Sequence, residues 1–210
     1  MLAVKSSLCS AAVLTILVLP GCALTDANVD VAYVPEAEKK SPLSTIETMA
    51  IAVVVEDDRD PGEKDIVGHK KNSYGMITAK IFSKTPPASV LHDALAKELA
   101  HNGHQVVGQQ ASPRAVVRTS LKRIWTEAKI HFWDVEVTGT LSSQISIVAP
   151  KSGQAAYTAP MSCTYRCSTQ IVTDGDYQKA LNGALAEFVR SFARDPGVLK
   201  GLRGLREPKP

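Results

Sequence analysis

Trp133-Asp134-Val135-Glu136-Val137-Thr138-Gly139-Thr140-Leu141-Ser142-Ser143-Gln144-Ile145-Ser146-Ile147 alternates between apolar and polar residues. Every odd position except Gly139 and Ser143 is apolar, and every even position is polar. A period of two sends alternate side chains to opposite faces of a strand, so this stretch reads as a long, half-buried antiparallel strand. Pro150-Lys151-Ser152-Gly153 supplies a turn. The next strand keeps the parity, with Tyr157, Ala159, Met161, Cys163, Tyr165 and Cys167 inward. Upstream, Val117, Thr119 and Leu121 indicate a preceding strand from about Ala115 to Trp125.

Working outward, the period changes. From Asp174 to Arg194, Tyr177, Leu181, Leu185, Phe188 and Phe192 form one stripe with Ala184, and Asp195-Pro196-Gly197 ends the helix. Toward the N-terminus, Met49 to Val55 is a continuous apolar run rich in β-branched residues, suited to a strand buried on both faces. It breaks at the acidic loop Glu56 to Gly62, and a second strand follows from Met76 to Phe82. Pro86-Pro87 opens a helix carrying Leu91, Leu95 and Leu99, which Asn102-Gly103 closes. The order is β-β-α-β-β-β-α, with a short extra strand at His104 to Val107. This predicts an α+β fold, a mainly antiparallel sheet with two amphipathic helices on one face.

The chain has 210 residues, with 24 Lys+Arg against 21 Asp+Glu, a formal net charge of +3 and 44% hydrophobic residues. That length suits one domain with its own core. The near balance of charge argues against an obligate nucleic-acid binder. Charged residues at 21% and a mean hydropathy of -0.03 exclude a wholly disordered chain and a polytopic membrane protein. Four cysteines are too few for a disulfide scaffold at this length.

Residues 1–21 read as an export signal: Lys5 in a short leading segment, then the apolar run Ala11 to Leu19. The run is shorter than the roughly 20 apolar residues that a spanning helix needs. Leu19-Pro20-Gly21-Cys22 resembles a bacterial lipobox, with an aliphatic residue at minus three, a small one at minus one, and then cysteine. The resemblance implies cleavage before Cys22 and acylation of its thiol and new amino group. Leu19, Pro20 and Gly21 would be the recognition residues of the signal peptidase. Ordinary cleavage after Ala23 is the alternative. Cleavage at the lipobox removes Lys5 and Cys9, leaving a net charge of +2. Ala23 after the cysteine resembles the sorting default for the outer membrane. Residues 22–44 are read as lipidated N-terminus and flexible tether, 45–197 as the single domain, and 198–210 as a basic, frayed tail.

The lipobox, the Ile51 to Val55 strand leading into Asp57-Asp58-Arg59, Gly68, Gly75, the helix ending at Gly103, the meander and the C-terminal helix together resemble the YajG-like bacterial lipoproteins. The resemblance implies an envelope lipoprotein and supplies no catalytic residues.

The mature chain has no Gly-x-Ser-x-Gly elbow, Ser-x-x-Lys pair, Gly-x-Gly-x-x-Gly or Walker loop. No catalytic residues, cofactor or metal ligands are therefore expected. His101-Asn102-Gly103-His104, with His92 upstream on the helix, is better read as an exposed helix end than as a zinc site, because Gly103 ends the helix between the two histidines. The acids from Glu56 to Asp65 lack the order of an EF-hand loop and enclose Arg59 and Lys64, so they read as a solvated loop. Cys163 and Cys167 lie about 13 Å apart in an extended strand, beyond the bridging limit of about 7 Å. Two core thiols are the preferred reading, and a disulfide would require a bulge. Trp125, Phe132 and Trp133 interleave with Lys122, Arg123, Lys129 and His131, and strand aromatics are expected to pack on the core face.

Asp57, Asp58, Asp60, Trp125 and Trp133 are the candidate partner-contact residues. The expectation is a lipid-anchored, non-enzymatic envelope module whose partners are the membrane and another envelope protein, with no nucleic acid. An accessory lipoprotein of an outer-membrane machine and a periplasmic binding module for a small ligand or glycan are the alternatives.

Overall fold

Eight strands and three α-helices build one two-layer α+β unit in the computed structural model, which describes residues 24–205. The signal segment, Leu19, Pro20, Gly21 and Cys22 lie outside the described residues. The strands are β1 (Ala27–Val29), β2 (Ala50–Asp57), β3 (Ile66–Lys71), β4 (Ile77–Ser83), β5 (Gln105–Val106), β6 (Ala115–Ile130), β7 (Val135–Val148) and β8 (Ala155–Thr169). The helices are α1 (Pro87–His101), α2 (Asp174–Arg194) and α3 (Pro196–Gly204).

The meander forms as the alternation requires. β7 pairs antiparallel with both neighbours, from Val116↔Val148 to Ile130↔Val135 on β6 and from Val135↔Thr169 to Val148↔Ala155 on β8. Val137, Leu141, Ile145 and Ile147 are buried beneath α2 and α3, with Ile147 against Gly201, while the even positions face outward among serines and threonines. Gly139 breaks the apolar parity for a steric reason. A Cβ there would lie 2.1 Å from the Ala180 carbonyl oxygen, so its missing side chain lets α2 approach the sheet.

The sheet is mainly antiparallel, as expected, but it is mixed rather than purely so. β6 is long enough to carry two partners on its other edge, β2 parallel along Ala115–Leu121 and β3 parallel at Thr126. A bulge between Leu121 and Arg123 marks the change of partner. β3 was absent from the expected order because Gly68, His69 and Lys70 interrupt any apolar period. It is held by β4 and β6 on its two edges. All three helices pack into one core with the sheet.

Two terminal segments depart from expectation. Residues 27–44 are not a flexible tether. β1 adds to the sheet parallel to β4, and Ala27, Val29, Val31 and Leu43 are buried. The segment then runs as a strap along α1 and α2, where helix side chains satisfy its backbone. Gln178 Oε1 accepts from Asp30 N–H at 2.9 Å, Asn182 Oδ1 from Ala32 N–H at 3.1 Å, and Asn102 Oδ1 from Ser41 N–H at 2.8 Å. The Tyr33 hydroxyl donates to Glu98 Oε2 at 2.7 Å. Such a strap has no period because its side chains meet different elements in turn. The basic tail likewise begins as α3, with Val198, Leu199 and Leu202 buried. Asp195 Oδ1 caps it by accepting from Val198 N–H at 2.8 Å.

Candidate functional site

The acidic loop after β2 is tied to its own chain. Arg59 grips Asp57 through both carboxylate oxygens, at 2.9 Å from Nε to Oδ1 and 2.8 Å from Nη2 to Oδ2. It also donates to the Ile66 carbonyl at 3.1 Å and to that of Lys64. Burial alone would raise the Asp57 carboxyl pKa, but the hydrogen bonds and charge of Arg59 outweigh it and hold the group below the usual range. Both side chains are nearly buried, so Asp57 closes the loop. Asp58 receives Lys122 Nζ at 2.8 Å and the Ser120 hydroxyl, which lower its pKa. Asp60 accepts from Gly62 N–H at 2.9 Å. Asp58 and Asp60 remain at the surface.

The two tryptophans separate. Trp125 lies on the outer sheet face beside Thr140, half-buried, with the His69 ring edge-on at 4.9 Å and Arg123 at 5.8 Å from the ring centre. Trp133 does not continue the β7 alternation inward. It sits in the turn His131-Phe132-Trp133-Asp134, which His131 N–H closes by donating to the Asp134 carbonyl at 2.8 Å. Phe132 and Trp133 are 87% and 84% exposed and meet edge-to-face at 4.7 Å. Strand parity read through a turn therefore placed Trp133 on the wrong side.

The topology brings other apolar groups to this same end of the sheet. β3 runs parallel to β6, so the β3–β4 turn lies beside the β6–β7 turn. Asn72 braces it, its Oδ1 accepting from Tyr74 N–H and Met76 N–H at 3.0 Å each, with Gly75 at φ +80°. Tyr74 is 87% exposed there, and Met76 and Ile77 project beside it. β8 ends opposite the start of β7, which adds exposed Ile171. The start of α2 joins this end through Lys70 and Asp174, 2.8 Å apart. Leu24 precedes Asp26, whose carboxylate accepts from Lys80 N–H at 2.7 Å. Among the described residues, only Val34 and Val106 are large exposed apolar side chains elsewhere.

The opposite end holds a groove of about 690 Å³ whose lining includes Met49, Gln105, Arg114, Lys151 and Leu205. No three His, Cys, Asp or Glu side chains among the described residues converge to hold a metal ion. His104 is buried, with Nε2 facing the Leu43 carbonyl at 3.2 Å. Cys163 and Cys167 are free and half-buried on the inward face of β8. The Cys163 thiol donates to Ser191 Oγ at 3.4 Å, and burial pushes the Cys167 thiol pKa up. No described helix is long and apolar enough to cross a membrane.

Tyr74, Met76, Ile77, Ile130 and Ile171 were missed as a surface. They come from three separate places in the chain, the β3–β4 turn, the end of β6 and the segment after β8, and only strand pairing assembles them. The one local signal was the adjacent aromatic pair Phe132-Trp133 between charged residues.

No family model and no curated protein matches the chain. Among solved structures, the chain is similar to a Xanthomonas campestris protein of family DUF330, at TM-score 0.58 and 7% identity over 83% of this chain and 95% of that one. It is also similar to a lipoprotein from Neisseria meningitidis, at TM-score 0.36 and 12% identity over 60% of this chain and 88% of that one. The first likeness shows that the fold is one already seen in the DUF330 protein.

Proposed function

We propose that this chain is a lipid-anchored bacterial envelope protein that acts as a non-enzymatic interaction or structural module at the periplasmic face of the membrane, similar to the YajG-like lipoproteins. The observation that carries the reading is the lipobox Leu19-Pro20-Gly21-Cys22 placed only five residues ahead of Ala27, the first residue of the sheet. Five extended residues span at most about 18 Å. An acylated Cys22 would therefore hold the folded domain against its membrane instead of on a long leash. Several acyl chains anchor far more firmly than one, since each buried CH₂ contributes about 0.8 kcal/mol. Outer-membrane sorting and an envelope protein as partner belong to the same reading, with no role for nucleic acid.

Intact mass and fractionation of the wild type beside Cys22→Ala test it. The expected result is acyl mass and membrane association in the wild type, and loss of both in the variant. A soluble, unacylated wild type cleaved after Ala23 would sink the reading. The groove of about 690 Å³ supports a second one, a soluble small-ligand or glycan module, which would then take first place.

A further inference from the structure

From the end of the sheet that carries Tyr74 and Trp133, we infer that the protein seats this end in the headgroup and upper acyl region of the bilayer. The inference rests on the lipid-anchor reading and deepens it, fixing the side of the domain that meets the membrane.

Three observations point to lipid as the occupant. First, the anchor is tied to this end. β1 is parallel to β4, and Ala27 lies level with Ile81. Ile77, at the start of β4, stands four residues or about 13 Å further toward the turn. The chain from Ala27 back to Cys22 reaches at most about 18 Å, enough to place the anchor beside Ile77 and Met76. It is far too short to carry the anchor around to the opposite groove, because β7 and β8 are 14 and 15 residues long, about 45 Å of strand. Second, the exposed groups are Trp, Tyr, Phe, Met and Ile, held on short turns of two adjacent hairpins. Trp and Tyr are the residues that prefer the membrane–water boundary, where an apolar ring body and a polar tip are both satisfied. Third, the charges nearby are matched. Lys71 lies 3.8 Å from Glu127, Arg166 lies 3.9 Å from Glu136 with Lys129 opposite that carboxylate in the β6–β7 register, and Lys70 meets Asp174. The surface therefore carries little net charge to demand an acidic protein partner or an anionic lipid, and its contact is apolar.

Quenching of tryptophan emission by brominated lipid reads the contact directly, because Trp133 and Trp125 are the only tryptophans and occupy different sites. The acylated protein is reconstituted into vesicles of phosphatidylethanolamine and phosphatidylglycerol containing a lipid brominated near the top of its acyl chain. In Trp125→Phe, Trp133 emission is expected to shift to the blue and lose intensity. In Trp133→Phe, Trp125 emission is expected to stay unchanged, since that ring lies well down β6 against His69. Should Trp125→Phe fold poorly, the difference between wild type and Trp133→Phe gives the same reading. Quenching should survive high salt, and its loss there would assign the contact to charge and overturn the inference. Protein that floats with the vesicles and carries acyl mass, but shows no quenching of Trp133, overturns the inference while the anchor stands. That result would leave the apolar end for a protein partner. Unacylated protein whose Trp133 is still quenched overturns the anchor and keeps the membrane-seated end. Protein that neither floats nor quenches overturns both.

Discussion

His104 is buried beneath the strap with a single partner. Its Nε2 stands 3.2 Å from the Leu43 carbonyl, which can only accept, so the proton is on Nε2 and Nδ1 is left bare. Burial, opposed only in part by that hydrogen bond, lowers its pKa below the ordinary 6.5. The unfolded chain takes up a proton near pH 6.5 while the folded chain resists it until a lower pH, so the unfolded state binds more protons in between. The stability contributed by neutral His104 is fully present above about pH 6.5 and is lost as the pH falls toward the depressed folded value. Thermal melts across this window should show Tm falling with acidification. His104→Gln, which can still donate to Leu43, should flatten that slope, and an unchanged slope would place its origin elsewhere. At the same scale, the Asp57 and Arg59 pair shows why an acidic cluster need not be a binding surface: one buried guanidinium occupies the carboxylate and the loop carbonyls together.

At the scale of elements, long periodic segments were legible and short or aperiodic ones were not. The period-two run around Leu141 became β7, and the Tyr177 to Phe192 stripe became α2 with the expected bounds. In both cases one face is buried along the whole element, so the pattern repeats often enough to be read. β3 has six residues and gains its place from backbone pairing on two edges, which leaves little trace in side-chain type. α3 is the instructive miss. It carries one lysine and one arginine on its exposed side, while Val198, Leu199 and Leu202 are spaced to bury one face. Leu202 is fully buried, so Leu202→Ala should cost about 3 kcal/mol in urea unfolding. A loss within a few tenths of a kcal/mol would return this segment to a frayed tail.

For the whole molecule, the strap makes the domain larger than the stretch between its obvious elements. Ala27, Val29, Val31 and Leu43 belong to the same core as α1, α2 and the meander. Removing residues up to 44 would uncover this surface and leave Gln178 and Asn182 without their backbone partners. At roughly 1.5–3 kcal/mol for each large apolar side chain, the loss is about 5 kcal/mol, a large share of the typical stability of a domain. A chain beginning at residue 45 should therefore melt far below one beginning at residue 24, or fail to fold. Equal melting temperatures would restore the tether. The candidate site obeys the same logic of scale: a sequence displays Trp133, Tyr74 and Ile171 far apart, and the parallel step from β3 to β6 makes them neighbours.

By itself the sequence determined the α+β class, the meander with its inward and outward faces, the two main helices, and the lipobox reading, because each is written in local period or in a contiguous motif. Tertiary structure alone decided the mixed pairing of the sheet, the docking of both terminal segments, the internal use of Asp57, and the gathering of exposed apolar groups at one end. The physical reason is that backbone pairing and the meeting of distant turns depend on strand direction and register, which no single stretch of side chains encodes.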